Sequence, residues 1–132
     1  MANIVFDTSV LLASAFDEPK AGEVVKHIKS VADGEDFGLI STVTIAEIFD
    51  YACRRGRRDI ASEFLESLKV SGIFVTEVTE EIAKLAGPLK AKFPQLSTAD
   101  AIIATTAYIN KAKLYTFDKG FYGIGGVDII GI

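Results

Sequence analysis

Residues 4–9 read Ile4-Val5-Phe6-Asp7-Thr8-Ser9, a short β-favouring apolar run that leads directly into an aspartate. Such a run suits a strand buried on both faces, and Asp7 then stands at its carboxyl end. Four further β-rich runs follow, Phe37–Ile40, Ile73–Val78, Leu114–Phe117 and Val127–Ile130, with helical patterns between them. That alternation predicts βαβ crossovers and a parallel sheet covered on both faces, an α/β architecture.

The helices are read from their apolar spacing and their ends. Pro19, after Asp17-Glu18, opens a helix with Val24, Val25, Ile28 and Val31 on one side, and Gly34 closes it. A helix from about Thr44 carries Ile45, Ile48, Phe49 and Ala52 at i, i+3, i+4, i+7, and another from about Asp59 carries Ile60, Phe64, Leu65 and Leu68 before Gly72. Thr79 caps a helix with Ile82, Leu85 and Leu89, which Gly87-Pro88 is expected to kink or split. Ser97 or Thr98 caps the last long helix. No repeat or low-complexity linker interrupts the chain, so residues 1–132 are expected to form a single domain.

Composition narrows the chemistry. Hydrophobic residues make up 49% of the chain against 24% charged, enough for a packed core and too much for a disordered tail. Cys53 is the only cysteine and His27 the only histidine, so a disulfide framework, a Cys/His zinc site and a Ser-His-Asp unit lack material. Chemistry must run on carboxylates. The longest charge-free stretches, Phe37–Ala46 and Ala101–Asn110, are 10 residues each, well short of a membrane span. Ser9–Phe16 resembles a signal-peptide core only faintly, because no Lys or Arg precedes it; a cytoplasmic location is expected.

The net charge of −4 argues against a polyanionic partner only if the charge is spread evenly. It is not. All four arginines lie within Arg54–Arg58, and several carboxylates sit inside apolar runs. In an open α/β sheet, ligands bind beyond the carboxyl ends of strands, where Asp7 stands. Asp118 repeats the arrangement after Leu114-Tyr115-Thr116-Phe117. Asp100 begins an otherwise uncharged helix, where it can also close a capping box with Ser97. Glu47 lies roughly opposite the apolar stripe of its helix, on the side of Tyr51, Arg54 and Arg58, which a solvated face explains.

These are oxygen donors alone, suited to Mg²⁺ or Mn²⁺ rather than zinc or copper. If Asp7, Asp100 and Asp118 converge, their oxygens are expected within about 4 Å of one another, and a cation relieves their repulsion. A carboxylate-held Mg²⁺ accepts phosphate oxygens and activates water, which is the chemistry of phosphodiester hydrolysis. Arg54 and Arg58 then become candidate contacts to an RNA backbone; a basic helix end held in solvent explains them equally.

The motifs Asp7-Thr8-Ser9 after a strand, Thr44-x-x-Glu47 on a helix, Ser97-Thr98-Ala99-Asp100-Ala101 and Thr116-Phe117-Asp118-Lys119-x-Phe121 together resemble the PIN-domain ribonucleases, and among them the VapC-type toxins of toxin–antitoxin pairs. The resemblance spans essentially the whole chain, in order. It implies a three-layer α/β/α fold with a central parallel sheet of four to five strands. It further implies that Asp7, Asp100 and Asp118 ligate Mg²⁺ or Mn²⁺ for RNA cleavage, with Glu47 holding a second metal or its water and Ser9 and Thr116 supporting them. Such toxins are typically homodimers neutralised by a VapB-like antitoxin whose basic tail enters the acidic pocket. Gly123-Ile124-Gly125-Gly126 departs from the proline of many relatives, which bears only on that loop's shape.

Two other readings fail at their motifs. A haloacid-dehalogenase-type phosphatase needs a second Asp where Ser9 stands, and a receiver domain needs an Asp after the third strand, where Val78 leads to Thr79-Glu80. The remaining alternative is a catalytically silent PIN-like domain that binds RNA or a protein.

Overall fold

The structure, a computed structural model, describes residues 1–132. Five strands, β1 (Asn3–Phe6), β2 (Phe37–Ser41), β3 (Phe74–Thr76), β4 (Lys113–Tyr115) and β5 (Ile129–Ile130), form one sheet in the order β3-β2-β1-β4-β5. Every neighbouring pair is parallel, with Val5 opposite Leu39 on one side and Leu114 on the other. Parallel neighbours require crossovers, and six helices supply them: α1 (Thr8–Ala15), α2 (Ala21–Ala32), α3 (Thr42–Arg54), α4 (Arg58–Val70), α5 (Glu80–Lys92) and α6 (Thr98–Ile109).

The strand alternation sorts the core into two halves. Ile4, Phe6, Ile40 and Tyr115 pack with apolar residues of α1, α2, α3 and α4, while Val5, Leu39 and Leu114 pack with α6 and the residues that flank it. Helices therefore cover both faces, giving the expected three-layer α/β/α arrangement. The connection from β3 to β4 passes back over β2 and β1 and carries α5 and α6 on the opposite face from α1–α4. Reversal of the strand order at β1 and β4 is what opens a crevice at their carboxyl ends.

Local differences from the sequence expectations have identifiable causes. α1 shows no amphipathic pattern in sequence because Thr8, Val10, Leu11 and Ala13 are all buried around it. α3 starts at Thr42 rather than about Thr44 because Ser41 caps it, accepting from the Val43 N–H at 3.2 Å. α5 continues as one helix through Gly87-Pro88, correcting the expected split; Thr79 caps it and packing against α6 supports it. Pro19 lies in the turn before α2, which begins at Ala21, and the observed β3 and β5 are shorter than their apolar runs.

Near the carboxyl terminus, Gly131 adopts φ +103, a conformation that favours glycine. A Cβ there would run into the Thr116 carbonyl and come within 2.9 Å of the Tyr115 ring. The last residues thereby back the end of β4, next to Asp7.

Candidate metal centre

Asp7 occupies the crevice between the ends of β1 and β4. The ladder between those strands reaches it, since its backbone N–H donates to the Tyr115 carbonyl at 2.9 Å. The residue is only 3% exposed. Its Oδ2 accepts from the hydroxyls of Ser9 and Thr116, each at 2.7 Å, and from the Ser9 backbone N–H at 3.4 Å. Oδ1 accepts nothing from the protein, yet it is not sealed in: the one occluded side-chain polar atom lacking a partner is the Tyr115 hydroxyl. One carboxylate oxygen is thus anchored while the other stays free for a ligand.

Burial pushes the Asp7 carboxyl above its ordinary pKa, the bonds from Ser9 and Thr116 pull it back, and the charge of Asp100 pushes it up again. The two hydroxyls also stitch the β1 and β4 ends together. Ser9 Oγ accepts from the Phe117 N–H at 3.0 Å, and Thr116 Oγ1 accepts from the Asp118 N–H at 3.0 Å. The expected supporting role of Ser9 and Thr116 toward Asp7 therefore has a direct geometric basis.

Glu47 reaches the same region from α3. It is half-buried rather than solvated, which corrects the expectation drawn from its position on the helix wheel. Its Oε1 accepts from the Thr8 hydroxyl at 2.6 Å. Burial raises its pKa first, the Thr8 bond lowers it, and the charges of Asp7 and Asp100 raise it further. Thr8 is the residue that sequence reasoning misses. The available signal was the placement of hydroxyls beside acids, in Asp7-Thr8 and in Thr44-x-x-Glu47.

Asp100 closes the capping box of α6: its Oδ2 accepts from the Ser97 N–H at 3.1 Å while Ser97 Oγ accepts from the Asp100 N–H at 3.0 Å. Asp118 caps the short 3-10 turn Lys119–Phe121, with Oδ1 accepting from the Gly120 N–H at 2.8 Å. These local bonds decide the spacing of the site. The charges of Asp7, Glu47 and Asp100 act on one another, but no three His, Cys, Asp or Glu side chains lie close enough as placed to hold one ion. The expectation that Asp7, Asp100 and Asp118 oxygens gather within about 4 Å is corrected accordingly.

The donor set nevertheless suits a hard cation. It is oxygen only, and Asp7, Glu47, Asp100 and Asp118 each retain one carboxylate oxygen that accepts nothing from the protein. Gathering their negative charge without a cation costs energy through desolvation and repulsion, as the raised carboxyls of Asp7 and Glu47 indicate.

The arginines lie farther along. Arg54 pairs with Asp50 at 2.9 Å and Arg57 with Asp59 at 3.0 Å, all exposed, while Arg55 stacks 3.4 Å over the Tyr51 ring and Arg58 lies 5.9 Å from the Phe49 ring centre. Arg54 is seven residues beyond Glu47, or about 10 Å along the helix axis. The cluster forms an exposed, internally partnered corner between α3 and α4.

Comparison with known proteins decides the family, because the model of the PIN domain matches residues 4–127. The chain belongs to the PIN-domain family. Among solved structures, it is similar to VapBC2 from Rickettsia felis bound to a promoter DNA fragment, with TM-score 0.78, 16% identity and 96% of each chain covered. It also resembles the sarcin-ricin-loop-cleaving toxin VapC20 of Mycobacterium tuberculosis, with TM-score 0.76, 19% identity and 92% of this chain and 95% of that one covered. DNA-bound VapBC from Salmonella typhimurium gives TM-score 0.74 at 18% identity, over 98% of this chain and 97% of that one. A search of curated proteins found no match. At these identities the likeness establishes the PIN fold, whose strand-end crevice is where this chain places Asp7. No helix is long and apolar enough to cross a membrane.

Proposed function

We propose that this PIN-domain protein is a metal-dependent ribonuclease and the toxin of a VapBC-type pair. The observation that carries the reading is Asp7, a buried carboxylate at the sheet's switch point with Oδ2 fixed by Ser9 and Thr116 and Oδ1 left free. Asp7, Glu47, Asp100 and Asp118 together hold Mg²⁺ or Mn²⁺. The bound ion supplies an activated water and a positive charge for the phosphate. Ser9 and Thr116 keep Asp7 oriented as the crevice fills, and Asp100 and Asp118 release one local hydrogen bond each to face it. Arg54 and Arg58 are proposed as outer contacts to the RNA backbone.

A VapB-like antitoxin with a basic tail suits the same acidic crevice, and a cytoplasmic homodimer is the proposed assembly. One specific observation favours a catalytically silent PIN domain instead: Asp100 and Asp118 are already engaged in caps. Cleavage of an RNA pool with and without Mg²⁺, by wild type and Asp7→Asn, separates the two readings. Wild type should cut only with the metal, and the variant should lose at least about a hundredfold in rate, comparable to removing one key electrostatic group from other active sites. Equal cleavage by both proteins, or cleavage that survives excess chelator, would refute the nuclease reading.

A further inference from the structure

We infer that Thr8 is a positioning residue whose hydroxyl clamps Glu47 to the Asp7 turn and so sets how tightly the acidic crevice holds a divalent cation. The inference rests on the metal-site reading above and adds a residue to it.

Thr8 is the first residue of α1, directly after Asp7, and is 8% exposed. Its Oγ1 lies 2.6 Å from Glu47 Oε1 and 3.2 Å from Thr44 Oγ1, and Thr44 is fully buried. A hydroxyl has one proton, and the short distance to a carboxylate marks where it goes. Thr44 stands three residues before Glu47 and so shares its side of α3, bracing the Thr8 oxygen from the helix that carries the acid.

The contact matters because of what Glu47 would do without it. A glutamate has three side-chain torsions and loses conformational entropy when held. Here it is also half-buried and repelled by Asp7 and Asp100. Its one hydrogen bond from the protein is the one from Thr8. Remove that proton and both entropy and repulsion drive the carboxylate out toward water. Because Thr8 is covalently next to Asp7, the clamp fixes two acids from different elements relative to each other. That is how outer hydrogen bonds orient metal ligands, and their loss typically weakens metal affinity about 10–100-fold.

The test compares Thr8→Val, which keeps the branched shape without the hydroxyl, with Thr8→Ser, which keeps the hydroxyl. Two signals are read on the full chain: the Glu47 side-chain carboxyl ¹³C shift in metal-free protein at neutral pH, and Mn²⁺ affinity by calorimetry. Thr8→Val should move the Glu47 shift and weaken Mn²⁺ binding at least about tenfold, while Thr8→Ser restores both. In a Glu47→Gln background, Thr8→Val should add no further loss. An unmoved Glu47 signal with wild-type Mn²⁺ affinity in Thr8→Val, or equal loss in Thr8→Ser, would overturn the clamp. So would additive losses in the double variant, which also covers a Thr8→Val protein that merely folds poorly. If wild type itself binds no Mn²⁺, the metal-site reading fails, and an unchanged Glu47 signal remains the separate mark against the clamp.

Discussion

Asp7 is a carboxylate held where water scarcely reaches it, and that sets the sign of its contribution to stability. Its folded-state pKa is raised above 3.8, chiefly by burial. Below that value the folded and unfolded chains are both protonated and the contribution is at its fullest. As pH rises from there through the raised folded-state pKa, the unfolded chain ionises first and stability falls. Glu47 adds the same sign starting from 4.5. Asp7→Asn removes the Asp7 term while keeping an oxygen for Ser9 and Thr116. In metal-free urea unfolding, the variant should therefore exceed wild type at pH 7, and its advantage should shrink toward pH 4. A variant less stable than wild type across that range would contradict this account. At this scale the sequence marks Asp7, Asp100 and Asp118 by their places at element ends, while Glu47 lies inside α3. It does not reveal which way each carboxylate turns, because a cap and a ligand demand the same residue types at the same positions. Asp100 and Asp118 show the consequence, since each is engaged with its own turn.

Among the elements, α6 links stability to the site most directly. Ser97 and Asp100 satisfy each other's backbone N–H groups at its start. Ser97→Ala should cost about 1 kcal/mol in chemical denaturation by removing the oxygen that accepts from the Asp100 backbone N–H, while the Ser97 backbone N–H still donates to the Asp100 carboxylate. No loss of stability would mean that the box contributes little beyond geometry. Element legibility followed amphipathicity. α2, α3 and α4 keep one polar face in water, and their apolar spacing reads plainly. α1 is surrounded by core and offers no polar face, so its eight residues read only as an apolar run. Gly87-Pro88 looks like a break because local propensity says so, whereas the packing of α5 on α6 carries the helix through. Glu47 follows the same logic: the wheel places it away from the apolar stripe, but α1 covers that side with Thr8.

For the whole molecule, the alternation of strands and helices foretells a parallel sheet covered on both faces. The order β3-β2-β1-β4-β5 is not legible in the same way, because it depends on which strand each crossover returns beside. That order brings Asp7 and Asp118, distant in sequence, to adjacent strand ends, and Thr116 bridges them. Under the proposed nuclease reading, it also accounts for how a chain of net charge −4 would meet a polyanion. In that reading Asp7, Glu47 and Asp100, whose charges act on one another, would meet the phosphate through a cation, and the arginines stand apart at the α3–α4 corner. Anomalous diffraction from crystals soaked in Mn²⁺ tests this account most directly. It predicts a peak bonded to Asp7 Oδ1 at about 2.1 Å, with free oxygens of Glu47, Asp100 or Asp118 turned to meet it. Clear Mn²⁺ density elsewhere on the protein, with none at Asp7, would contradict it.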